Sequence, residues 1–201
     1  MIRVKICGLT RIEDARAAAD LGVDAVGLVF TERSKRHVDV ERANAICRAL
    51  PPFVSRVGLF MDQDADSIIE ILDRVPLDWL QFHVGETEAF CRRFRRPWIK
   101  ALAMAGRQVP DFAAFNTADA LLLDSHVQGQ PGGTGKPFDW SGLEVPERPW
   151  ILAGGLNPDN VAMACRQLQP HAVDVSSGVE KRPGIKDHKL MKSFMEAVRH
   201  G

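Results

Sequence analysis

Residues 150–178 read WILAGGLNPDNVAMACRQLQPHAVDVSSG. An apolar run ends at a glycine pair, Gly154-Gly155. Asn157 then suits a helix cap, and Pro158 suits the first helical position. Val161, Ala164, Cys165 and Leu168 follow at i, i+3, i+4 and i+7, which is one face of a helix. A second apolar run covers 172–177. Strand, helix, strand in so short a span is a βαβ unit, whose two strands lie parallel.

The same beat recurs upstream. Strand-like runs stand at VKIC (4–7), AVGLVF (25–30), VSRVGLF (54–60), WLQFH (79–83), WIKALAM (98–104) and ALLLDS (120–125), making eight in all. Several are near-continuous hydrophobic stretches, as strands buried on both faces should be. Helical stripes fall between them. Thr10-Arg11-Ile12-Glu13 reads as a capping box opening a helix through Leu21. Ala43, Ile46, Cys47 and Leu50 form one apolar face; Ile68, Ile71, Leu72 and Val75 form another; Phe90, Cys91 and Phe94 form a shorter one. The last helix, from about Asp187, lines up Leu190, Met191, Phe194, Met195 and Val198. The connections at 105–119 and 126–148 are weaker, so the helix after strand five is expected to be short or missing. Eight alternating strands and helices without a composition break predict a single-domain (β/α)8 TIM barrel over residues 1–201. A flavodoxin-like sheet, the competing architecture, leaves three strands unexplained.

Composition narrows the function. The chain has 26 basic and 26 acidic residues, which argues against nucleic acid or a membrane surface bound through bulk charge. It has no signal peptide and no apolar run of about 18 residues, so a cytoplasmic location is expected. Four cysteines in a reducing compartment should not form disulfides. No cysteine or histidine spacing suggests a metal.

Three of those cysteines, Cys47, Cys91 and Cys165, fall on apolar helix stripes and read as small hydrophobes. Cys7 differs: it closes a strand, and Gly8 allows a sharp turn beside it. In a barrel the carboxyl ends of the strands hold the active site. Lys5, two residues back, faces the same side, and its ammonium is expected to lower the thiol's pKa. Cys7 is thus either a functional thiol or a buried structural one. Asp124 ends the apolar run LLLDS. It is either a cap or a lysine's partner, or an acid whose pKa is raised by burial. AGGLNPDN (153–160) and VSSGVEKRPGIKD (175–187) follow strands seven and eight, where barrels commonly bind phosphate through backbone N–H groups. QPGGTGKPFDW (130–140) is not a P-loop, because Pro137 breaks the spacing; it reads as a loop over the mouth. RSKRH (33–37) is a basic run whose usual explanation is a solvated face; at a barrel mouth, an arginine there could clamp a carboxylate. His83 ends strand four, and a structural role is favoured over a catalytic one.

KICGLT, SKRHV, QFH, LLLDS with GGTGKPFDW, AGGLNPDNV and DVSSGVE…PGIKD occur in the order and at the spacing of the phosphoribosylanthranilate isomerase family, which the chain resembles over essentially its whole length. The resemblance implies an Amadori rearrangement of N-(5-phosphoribosyl)anthranilate in tryptophan biosynthesis. It implies Cys7 as general base, Asp124 as general acid and Arg36 as the group holding the anthranilate carboxylate. It also places Gly154, Gly155, Ser177 and Gly178 in two phosphate-binding loops. The implied partner is a small phosphorylated substrate, with no metal or other cofactor. A monomer is the default, with a homodimer as the alternative. One departure stands out: Val84-Gly85 after QFH, where the family has Gly and an acidic residue, which leaves any role for His83 in question. Two other readings compete. One is the related histidine-pathway phosphoribosyl-amine isomerase, whose reaction is expected to use two aspartates; the cysteine on strand one disfavours it. The other is a non-catalytic barrel that binds a phospho-ligand.

Overall fold

The computed structural model describes residues 1–83, 85–105, 111–127 and 144–200. Eight parallel strands close into a barrel in chain order. They are β1 (Arg3–Ile6), β2 (Ala25–Val29), β3 (Ser55–Phe60), β4 (Trp79–Phe82), β5 (Trp98–Ala105), β6 (Ala120–Val127), β7 (Trp150–Ala153) and β8 (Ala172–Val175). Closure comes from β8 pairing with β1, with Lys5 opposite Asp174. Every expected strand is present because each run is largely apolar and buried; polar exceptions such as Lys5, Gln81, Lys100 and Asp174 are buried too. One set of alternate residues fills the barrel, including Cys7, Val29, Val57, Leu59, Ile99, Leu122 and Ile151. The other set, including Val4, Ile6, Leu28, Leu80, Leu121 and Val173, packs under the helices.

The helices are α1 (Ile12–Asp20), α2 (Val40–Ala49), α3 (Ala65–Arg74), α4 (Glu88–Arg92), α5 (Val161–Leu168) and α6 (His188–His200). After β5, the described residues of the connection form a 3-10 turn, Phe112–Phe115, in keeping with the short helix expected there. The expected loop at 130–140 lies outside the described residues, as does most of the connection at 126–148. Phe30, just past β2, stacks on Phe60 of β3, which packs at a tilt on Phe82 of β4, with ring centroids 5.4 and 5.9 Å apart. Burying each ring contributes about 1.5–3 kcal/mol and braces the carboxyl ends of those strands.

Three local expectations need correction. Thr10 does not cap α1: the N-cap is Arg11, with no side-chain cap bond, and the Thr10 hydroxyl donates instead to the carbonyl of Gly184. The α5 helix begins at Val161 rather than Pro158. Asn157 caps a preceding turn by accepting the N–H groups of Asp159 and Asn160. Leu190 is 37% exposed, whereas Met191, Phe194, Met195 and Val198 are buried as expected. Beyond β8 the chain adds a small hairpin that periodicity did not announce, β9 (Glu180–Arg182) with β10 (Ile185–Lys186).

Candidate active site

The carboxyl ends of the strands bring together most of the residues singled out above. Cys7 follows β1, is 6% exposed and belongs to the barrel-filling set. Gly27 on β2 makes room for it, since a Cβ there would lie 2.7 Å from the Cys7 sulfur. One layer below, the Lys5 ammonium meets the Asp174 carboxylate at 2.9 Å, both buried. Lys5 does pull the thiol's pKa down, as expected, but the net shift is upward. Burial pushes the Cys7 thiol up; Lys5 and Lys186 pull the other way, but Asp174 adds to the rise. Lys5 serves both Cys7 and Asp174, the latter a partner that strand patterning alone did not disclose. The other three thiols are unpaired and buried; burial raises Cys47 to about 11 and Cys91 to about 12, as expected of inert core cysteines.

Asp124 lies on β6, in register with Ala103 of β5 and Ala153 of β7. Two methyl side chains therefore flank the carboxyl. Alternation puts it on the same strand face as Leu122, which fills the barrel. His83, just beyond β4, is held below its ordinary pKa by burial; Asp124 opposes that shift and Lys5 reinforces it. His83 thus feels charges from both β1 and β6, which places those groups in one electrostatic field. Its Nε2 also contacts the amide of Gln81, so it is tied into the barrel as a neutral ring. β6 and β1 are three strands apart around the closed ring, so Asp124 and Cys7 approach the mouth from opposite walls.

Arg36 is not a solvated member of a basic run. Its aliphatic stem crosses Gly8: a Cβ on Gly8 would come within 2.4 Å of Arg36 Cδ, and Gly8 has φ +74°. Only glycine satisfies both demands. The guanidinium forms a fork with Glu180, Nε donating at 2.9 Å and Nη2 at 2.7 Å. The glycine segments after β7 and β8 touch. A Cβ on Gly178 would lie 1.9 Å from the carbonyl oxygen of Leu156, so the second loop packs directly on the first. Gly154 and Gly155 both adopt positive φ, +86° and +65°. Among the described residues, the N–H groups of Gly155, Ser177 and Gly178 make no hydrogen bond to the protein. Such a cluster of N–H groups left without protein acceptors suits an anion.

Glu180, Lys186, Ser176 and Gly27 escaped the sequence reading as site residues. Only the motif DVSSGVE pointed toward Glu180, and nothing in the spacing linked it to Arg36.

Residues 4–197 match the family model described as N-(5'-phosphoribosyl)anthranilate (PRA) isomerase. A curated relative of that name from Pseudomonas fluorescens is 54% identical, covering 99% of this chain and 96% of its own. One from Pseudomonas aeruginosa is 53% identical over 98% and 95%. The crystal structure of phosphoribosyl anthranilate isomerase from Thermotoga maritima superposes with TM-score 0.86 at 40% identity, covering all of both chains. A structure of phosphoribosyl anthranilate isomerase in complex with reduced 1-(o-carboxyphenylamino)-1-deoxyribulose 5-phosphate gives TM-score 0.82 at 39% identity, again over both full chains. With its full-length barrel and matches of this extent, the chain belongs to the N-(5'-phosphoribosyl)anthranilate isomerase family.

Proposed function

We propose that the protein catalyses the Amadori rearrangement of N-(5-phosphoribosyl)anthranilate to 1-(2-carboxyphenylamino)-1-deoxyribulose 5-phosphate, with Cys7 and Asp124 moving the protons. The supporting observation is that a thiol and a carboxyl approach one barrel mouth from opposite walls, together with N–H groups left without protein acceptors and a half-buried arginine. Asp124, protonated, donates to the ribose ring oxygen as the C1–O bond breaks and the nitrogen lone pair forms the imine. Cys7, as thiolate, removes the proton from C2. The enolamine then takes a proton at C1 and loses one from O2, giving the ketose. Gly154, Gly155, Ser177 and Gly178 hold the phosphate, and Arg36 meets the anthranilate carboxylate. Phosphate binding far from the reacting carbons positions the sugar for both transfers.

The cycle needs one proton on the Cys7–Asp124 pair. Two protons leave no base, and none leaves no acid. The rate kcat/KM should therefore hold level across neutral pH and fall at both ends. The alkaline fall marks loss of the last proton. Burial raises the Cys7 thiol, so that fall should come above the ordinary thiol value of about 8.5. A fall below that value would contradict the pair. Turnover on the anthranilate substrate, with no comparable turnover on the histidine-pathway aminoaldose, is the expected outcome of a direct assay. Binding without turnover would leave only a phospho-ligand barrel. The same reading takes the protein as cytoplasmic, which its unpaired thiols support, and as a monomer by default with a homodimer as the alternative.

A further inference from the structure

Glu180 stands where the two ends of the site meet. It lies two residues past Gly178, in the segment that follows the β8 phosphate loop, and its side chain is 4% exposed. One of its oxygens accepts from Arg36 Nε at 2.9 Å, from Lys186 Nζ at 2.8 Å and from the Gly184 N–H at 3.2 Å. The other accepts from Arg36 Nη2 at 2.7 Å. Lys186 Nζ in turn donates to the Ser176 carbonyl at 3.1 Å, and the Ser176 hydroxyl donates to the Cys7 carbonyl at 3.0 Å. A single buried carboxylate thus joins Arg36, the phosphate loop and the backbone of the thiol.

The geometry of the fork matters. Glu180 occupies the Nε–Nη2 side of the guanidinium, while Nη1 makes no hydrogen bond among the described residues. The Nη1–Nη2 end keeps donors for a second carboxylate, and a guanidinium held on one side is pre-aimed on the other. The charges also sum usefully: two cations and one carboxylate leave the cluster net positive toward an anion.

We propose that Glu180 is a positioning residue for the substrate's carboxylate: it aims Arg36 and sets its distance from the phosphate loop, so the site selects ligands by the spacing of their two anionic ends. This rests on the assignment of Arg36 to the anthranilate carboxylate. An ion pair that merely stabilises the hairpin would predict something different, and ligand pairs separate the two.

The test compares two probes by calorimetry on the full chain. One is reduced 1-(o-carboxyphenylamino)-1-deoxyribulose 5-phosphate. The other is its anilino counterpart, which lacks only the ring carboxylate. Glu180→Gln should weaken the carboxylated probe by about 10- to 100-fold, with the anilino probe unchanged. Glu180→Asp keeps the charge that balances two buried cations but is too short to hold the fork. It should show the same selective loss, and it serves if the Gln variant folds poorly. Parallel weakening of both probes, or of neither, would overturn the proposal. Arg36→Met controls the underlying assignment. If it abolishes the preference for the carboxylated probe while both Glu180 variants keep it, only the role of Glu180 falls. If Arg36→Met itself keeps the preference, the assignment of Arg36 falls and this proposal with it.

Discussion

Cys7→Ala should lower kcat by up to about 10⁴-fold, the upper range for a lost general base and equivalent to about 5.4 kcal/mol of barrier. Alanine keeps the strand end and the turn at Gly8, so the barrel should form. Removing one buried sulfur leaves a small cavity, whose cost in stability of about 1 kcal/mol is minor beside the loss in rate. No other cysteine can substitute: Cys47, Cys91 and Cys165 belong to the layer between barrel and helices. The loss should fall on kcat, with product-analogue affinity kept, because the thiol acts in the transition state rather than in binding. Near-normal turnover would remove Cys7 from the base role.

Asp124→Asn should reduce kcat by about 10²–10⁴-fold. The substitution is nearly isosteric between the flanking alanines Ala103 and Ala153, so packing should survive. An amide can still donate a hydrogen bond to the ring oxygen but cannot transfer a proton at accessible pH. The departing oxygen would then leave as an alkoxide, and the ring-opening step should become limiting. The pH profile should change too: with the proton-donating member of the pair gone, the alkaline fall that marks loss of its proton should disappear. An unchanged bell in Asp124→Asn would assign the acid elsewhere.

Much of this molecule is legible before any coordinate is seen. The strands declare themselves because they are buried, so several of their apolar runs are near-continuous. The register then follows from closure. Cys7 stands apart from Cys47, Cys91 and Cys165 because strand ends and helix stripes have different periods. What escapes is chemistry that depends on partners distant in the chain. Thr10 satisfies every local rule for a capping box, yet its hydroxyl goes to Gly184, 174 residues away. Lys5 next to Cys7 promises a stabilised thiolate, but Asp174 shares the ammonium across the β8–β1 seam and burial decides the sign. The basic run at 33–37 contains one arginine unlike its neighbours, and only the fork to Glu180, 144 residues on, distinguishes Arg36 from Arg33, whose side chain is 87% exposed. Glycines are the intermediate case. Gly8 announces a turn, but that Gly27 makes room for a sulfur and Gly178 admits a neighbouring loop is visible only when the walls are assembled.

The assignment of two separate proton transfers is tested most directly by the kinetic isotope effect on kcat with substrate deuterated at ribose C2. In Cys7→Ser, removal of that hydrogen should limit turnover, and a primary isotope effect should be fully expressed. In Asp124→Asn, ring opening should limit, and the effect should disappear. An isotope effect in the Asn variant with none in the Ser variant, or equal effects in both, would contradict the division of labour between sulfur and carboxyl.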